Sequence, residues 1–170
     1  MNFQSLSMLP PIRIMMINPL INASKLTVVR LLSGHIFEVN RPIDIILLVY
    51  ANEIADAEAF VQEILACGYL CLNTIVATSD LPSITDADIF CCMSNLDNPN
   101  NLDFNTDNDV HFDTVYLYIK VALSLGNSQK SLKEEYIFNE DKTKMIKKPK
   151  PIFFGDGLLV LDILNIMGAE

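Results

Sequence analysis

A chain of 170 residues that is 51% hydrophobic and 19% charged holds enough apolar material to bury a core and too much to stay disordered. Its formal net charge of −9 repels phosphates, which excludes sequence-independent binding to nucleic acid or to an anionic membrane surface. No apolar stretch reaches the roughly 20 residues that span a bilayer, and Met1-Asn2-Phe3-Gln4-Ser5 lacks the basic start of a leader, so the expectation is one cytoplasmic globular domain over residues 1–170.

Residues 1–10 read as an N-terminal tail. The apolar run Ile12 to Ile17 has the length of a buried parallel strand, and a helix-compatible stretch, Leu20 to Leu32, follows after a tight connection. A second strand is predicted over Ile43 to Tyr50 and a second helix over Glu53 to Ala66. In that helix Ile54, Ala57, Val61, Ile64 and Leu65 recur at helical spacing opposite Glu53, Asp56, Glu58, Gln62 and Glu63. Strands at Leu72 to Ala77 and Ile89 to Met93 come next. The second and fourth strands are too uniformly apolar to have a wet face, which places them inside a covered sheet.

The Asn- and Asp-rich stretch 95–109 reads as an exposed loop, and Phe112 to Leu125 as a third helix with Val115, Ile119, Ala122 and Leu123 on one side. Residues 129–150 read as an insertion in loop conformation, Ile152 to Phe154 as a fifth strand and Leu158 to Met167 as a last helix. Strands alternating with amphipathic helices predict an α/β fold, a parallel sheet of about five strands with helices on both faces.

Few residues advertise chemistry. Cys67, Cys71, Cys91 and Cys92 mostly sit in apolar surroundings and read as buried, reduced thiols. Adjacent Cys91 and Cys92 point to opposite faces of a strand, which argues against a metal site. His35 and His111 are the only candidate general bases, and neither has a carboxylate partner fixed by spacing, so no catalytic residue is assigned. The pairs Asp86/Asp88 and Glu134/Glu135 and the lysines at 147, 148 and 150 read as solvated surface, and Asn22-Ala23-Ser24 as an incidental acceptor pattern inside a helix.

The junction after the first strand, Asn18-Pro19-Leu20-Ile21-Asn22-Ala23-Ser24, stands where a dinucleotide-binding fingerprint carries glycines and contains none. Around it, residues 11–94 resemble the nucleotide-binding half of the lactate/malate dehydrogenase family, most nearly cytosolic malate dehydrogenases. Pro11-Ile12-Arg13 opens the first strand as in that family, Gly34-His35-Ile36-Phe37 is similar to its Gly-Ser-Val-Phe, and Arg41-Pro42-Ile43 to its Gln-Pro-Ile. Val76-Ala77-Thr78 and Thr85-Asp86-Ala87-Asp88-Ile89 continue the likeness, and Pro151-Ile152-Phe153-Phe154-Gly155-Asp156 matches a later strand and turn.

The resemblance implies a Rossmann-like domain, NAD as cofactor and the malate/oxaloacetate interconversion as the family reaction. It places Asn18, Ile21 and Ser24 at the glycine-turn positions, Val49 at the position of the ribose-binding acid, and Ser94 at the end of the fourth strand among cofactor-facing positions. Ile21 is expected to resist the positive φ of such a turn, and Val49 to accept no hydrogen bond. Arginine occurs only at 13, 30 and 41, so the loop after the fourth strand lacks the guanidinium groups that hold a dicarboxylate. Asp156 replaces a turn asparagine, and Glu170 precedes the region that carries the family's His-Asp pair. The expectation is an inactive relative, or alternatively a protein-interaction or dimerisation module. Leu20 to Leu32 and Glu53 to Ala66 would then contact a second copy or a dehydrogenase-like subunit.

Overall fold

The structure, a computed structural model, describes residues 10–80, 86–93, 117–126, 136–138, 145–147, 151–155 and 165. Strand β1 (Ile12–Ile17) leads into helix α1 (Asn22–Leu32), β2 (Ile43–Leu48), a 3₁₀ turn at Ala51–Glu53, α2 (Ile54–Ala66), β3 (Leu72–Thr78) and β4 (Ile89–Cys92). Helical residues 117–126 (α3), the short strands β5 (Tyr136–Phe138) and β6 (Met145–Lys147), and finally β7 (Ile152–Gly155) complete the order. Five parallel strands form one sheet in the order β3-β2-β1-β4-β7.

Side-chain alternation along these strands builds two apolar layers. On one face Ile14 and Met16 of β1, Ile43, Ile45 and Leu47 of β2, Ile75 and Cys91 pack under Val28, Leu31 and Leu32 of α1 and Phe60, Val61 and Ile64 of α2. On the other, Met15, Ile17, Ile46, Leu48, Phe90 and Cys92 lie against Leu117, Tyr118, Val121, Ala122 and Leu125 of α3. Adjacent Cys91 and Cys92 thus enter different layers, and five of the six residues of β2 are buried, as a centrally placed strand requires.

Two helical faces differ from the spacing argument. In α2 the buried aromatic is Phe60, while Leu65 faces solvent. In α3 Ile119 and Leu123 are exposed, and the sheet instead takes Leu117, Tyr118, Val121 and Leu125. That helix is apolar nearly all round, so its own periodicity does not choose a side. Of the predicted insertion at 129–150, residues 136–138 and 145–147 form an antiparallel two-stranded ribbon rather than loop, with Tyr136 opposite Lys147. Short runs rich in β-formers, Tyr136-Ile137-Phe138 and Met145-Ile146, account for the pairing. The loop 95–109, His111, Val115, Glu134/Glu135, Asp156 and all of Leu158 to Met167 except residue 165, which is helical, lie outside the described residues.

Candidate functional site

In an open parallel sheet the crevice for a ligand lies beyond the carboxyl ends of the strands, where the strand order reverses. Here that reversal falls at β1, which pairs with β2 on one side and β4 on the other. The residues that follow these strands, Asn18, Val49 and Met93, therefore surround the switch point.

Asn18 is the residue that turns the chain. Its φ of 56° is left-handed, a conformation that asparagine tolerates far better than branched residues. Its side-chain Nδ2 donates to the Met93 carbonyl at 2.9 Å, joining the end of β1 to the end of β4. The hydroxyl of buried Tyr118 on α3 also donates to that carbonyl. A loop turn, a strand end and a helix are held together by one acceptor.

Ile21 does not carry the positive φ of this turn. It is the N-cap of α1 with φ −71° and ψ 150°, ordinary extended backbone, so its branched side chain meets no conformational strain. The single positive φ in this turn lies three residues earlier, at Asn18. No side chain caps α1 and its first turn holds no acid, so its leading N–H groups and positive dipole end face the carboxyl edge of the sheet.

Ser24 is fully buried in the first turn of α1, and its Oγ has no hydrogen-bond partner. An orphaned hydroxyl costs about 1–3 kcal/mol. Ser24→Ala is therefore expected to stabilise the chain by about 1 kcal/mol, read as a rise in the melting temperature. A fall would show that the hydroxyl is satisfied in solution.

Val49 is buried and donates its N–H to the Thr78 carbonyl at 3.0 Å, so the expected position of a ribose acid is filled by a packed apolar side chain. Just beyond it, Glu53 accepts the Tyr50 N–H at 3.2 Å and donates its own N–H to the Tyr50 carbonyl. Spacing alone missed this acid, because the signature of a capping box is a Ser or Thr three residues before the Glu and Tyr50 stands there instead. Tyr118 was also missed, and a helix apolar nearly all round gives no signal for it. Ser94 lies outside the described residues.

Charge is segregated in a way that bears on substrate. Helix α1 returns antiparallel to the strands, so its last turn, with Arg30, reaches the amino edge of the sheet, where Arg13 opens β1 and Arg41 precedes β2. All of the arginines thus lie at the end opposite the crevice. Arg13 is engaged there: its guanidinium pairs with Asp86, and its N–H donates to the Asp88 carboxylate at 2.9 Å. The Asp86/Asp88 pair fastens strand starts. Lys25, one turn into α1, lies 5.3 Å from the ring centre of Phe60 and bridges α1 to α2.

Two of the thiols are held protonated by burial. Burial pushes Cys91 up to about 11 and raises Cys71, whose Sγ donates to the Leu32 carbonyl; Cys67 is exposed. The phenol of Tyr69 is raised by burial and by neighbouring Cys67 and Cys71. Among the described residues no three metal-ligating side chains converge, and no helix is long and apolar enough to cross a membrane.

No family model matches this sequence, and no curated protein matches it. Solved structures do. Malate dehydrogenase from Naegleria fowleri superimposes with a TM-score of 0.58 and 16% identity over 71% of this chain and 36% of that one. Lactate dehydrogenase from Trichomonas vaginalis is similar in its apo form, with a TM-score of 0.56 and 15% identity over 70% of this chain and 35% of that one. Its complex with NADH and oxamate gives 0.53 and 16% over 68% and 34%. The chain has the Rossmann-like fold of these dehydrogenases and spans about a third of their length.

Proposed function

We propose that the chain is a divergent malate dehydrogenase-like NAD-binding domain, cytoplasmic, which does not itself run the family's NAD-dependent interconversion of malate and oxaloacetate. The observation that carries this reading is the turn after β1. Asn18 adopts the positive φ that glycine otherwise supplies, and α1 begins without a capping side chain, so the backbone keeps the form of a phosphate-binding turn. A related sheet in Trichomonas vaginalis lactate dehydrogenase was solved with NADH, which supports the assignment of cofactor class.

The N–H groups of Asn22 and Ala23 would hold the pyrophosphate, and NAD, when bound, supplies a hydride acceptor. Two residues weaken the hold. The Asn18 side chain spans β1 and β4 at the crevice, and Val49 has no acceptor for a ribose. Inactivity follows from the arginines. With Arg13, Arg30 and Arg41 all at the amino edge, the described crevice offers no guanidinium to a dicarboxylate.

Titration calorimetry with NAD and NADH, run beside thermal melting, tests the reading. The expected dissociation constant is about 0.1–1 mM, an affinity of roughly 4–5.5 kcal/mol, with no oxidation of malate. A chain that melts cooperatively yet shows no heat with either nucleotide would overturn it.

One observation favours a second reading, a module for pairing with a second copy or with a dehydrogenase-like subunit. Helix α1 carries Lys25 and Arg30 and no acid, whereas neighbouring α2 carries Asp56, Glu58 and Glu63 and no base; Leu26 and Leu65 stand exposed beside them. A two-fold arrangement sets basic α1 of one copy against acidic α2 of the other. Sedimentation as a dimer that salt dissociates, with no nucleotide binding, would favour this module.

A further inference from the structure

Cys67, Tyr69 and Cys71 gather at the turn between α2 and β3, on the amino edge of the sheet and away from the crevice described above. We infer that Cys67 and Cys71 are an oxidation site of this chain, in which a hydroperoxide oxidises the exposed thiol and the buried one then closes a disulfide with it. The inference does not depend on whether the chain binds a nucleotide.

The local backbone explains why two thiols meet one phenol. Helix α2 ends at Cys67, whose N–H donates to the Ile64 carbonyl at 3.2 Å. Gly68 then turns with φ at 64°, its N–H donating to the Leu65 carbonyl at 3.2 Å. A Cβ on Gly68 would meet nothing within 4 Å, so the approach to Cys67 is open. The Leu72 N–H closes a second turn on the Tyr69 carbonyl at 3.3 Å. Between these turns the half-buried Tyr69 bonds the Cys67 side chain through its hydroxyl and interacts electrostatically with both thiols. Cys67 is exposed, whereas Cys71 is buried and its Sγ donates to the Leu32 carbonyl at 3.1 Å.

This asymmetry sets the order of events. The thiolate is the nucleophile, and solvent access decides which sulfur meets an oxidant first. Burial raises Cys71, which keeps it a thiol, while Cys67 is open and has a phenolic O–H beside its sulfur. Cys67 Sγ attacks one oxygen of the peroxide and the O–O bond breaks, leaving a sulfenic acid and, with the thiol proton, one water. Cys71 Sγ then attacks the Cys67 sulfur, and the sulfenic hydroxyl departs with the Cys71 proton as a second water. Two thiols thereby give two electrons and two hydrogens to one peroxide. The proton lost from Cys71 is the one that holds the Leu32 carbonyl, so oxidation also unties the end of α1 from the start of β3. Cys91 and Cys92 are buried in opposite layers of the sheet and are spared.

Hydrogen peroxide added to the reduced full chain, with the products followed over time, tests the inference. Thiols counted after denaturation should fall from four to two. Chymotryptic cleavage after Tyr69 should leave the Cys67 and Cys71 peptides joined until dithiothreitol is added. In Cys71→Ser, whose hydroxyl can still donate to Leu32, the Cys67 sulfenic acid should persist and be trapped by dimedone. Tyr69→Phe keeps the ring and should slow the oxidation of Cys67 about tenfold, and an equal rate would strike the phenol from the site. A cooperatively melting wild-type chain that accumulates a dimedone-reactive Cys67, that loses thiols only by joining two copies, or that reacts at Cys91 or Cys92 as fast as at Cys67 would overturn the inference.

Discussion

Gly155→Ala is expected to lower the melting temperature by roughly 10 °C, reflecting a loss of about 3–4 kcal/mol from combined steric overlap and backbone strain. Gly155 closes β7 opposite Cys92, with φ at +137°, a region open essentially to glycine alone. A Cβ there would stand 2.0 Å from the Cys92 carbonyl oxygen and 2.6 Å from its carbon. These are backbone atoms of a buried strand, so the neighbour cannot rotate away as a flexible side chain would. The strands must part, and with them the packing of Phe90 on Phe153, whose rings stack at 5.1 Å between centroids. A melting temperature within 2 °C of wild type would show that β7 is not seated against β4 at this residue.

Asn18 should show a graded response. Asn18→Gly keeps access to φ 56° and loses only the bond to Met93, a cost of about 1 kcal/mol. Asn18→Val loses the bond and also forces a β-branched residue into left-handed backbone, which adds about 1–2 kcal/mol. The expected order of chemical-denaturation midpoints is wild type, then glycine, then valine, with about 2–3 kcal/mol between the extremes. If valine proved no more costly than glycine, the bond to Met93 that both variants lose, rather than the backbone angle, would dominate the turn. The glycine variant also bears on the cofactor. By freeing the gap between β1 and β4, it should bind NAD more tightly than wild type.

The strands were legible because their chemistry is local. Apart from Asp44, Ile43-Asp44-Ile45-Ile46-Leu47-Leu48 and Ile89-Phe90-Cys91-Cys92 are short and apolar on both sides, and such segments persist only where helices cover both faces of a sheet. Helix boundaries were nearly as clear, since α1 and α2 begin within two residues of the predicted starts. The helix faces were less so. Phe60 is buried where Leu65 was expected, and Ile119 and Leu123 are exposed although their spacing suits a core face. In a helix with apolar residues on every side, the face is selected by what it packs against, and that partner is distant in sequence.

The candidate site divides along the same line. Composition and residue identity alone established an acidic chain with an apolar parallel sheet, no glycine in the first turn, no acid at position 49, and arginine at three places only. Which residue bears the turn's positive φ, that Ile21 sits unstrained, that all of the arginines gather at the edge away from the crevice, and that Glu53 folds back onto β2 were decided by the assembled fold. The physical reason is that hydrophobicity and charge belong to single residues and survive in any arrangement. Dihedral strain, the pairing of a donor with an acceptor 75 residues away, and the edge of a sheet on which a charge falls come into being when the strands pair.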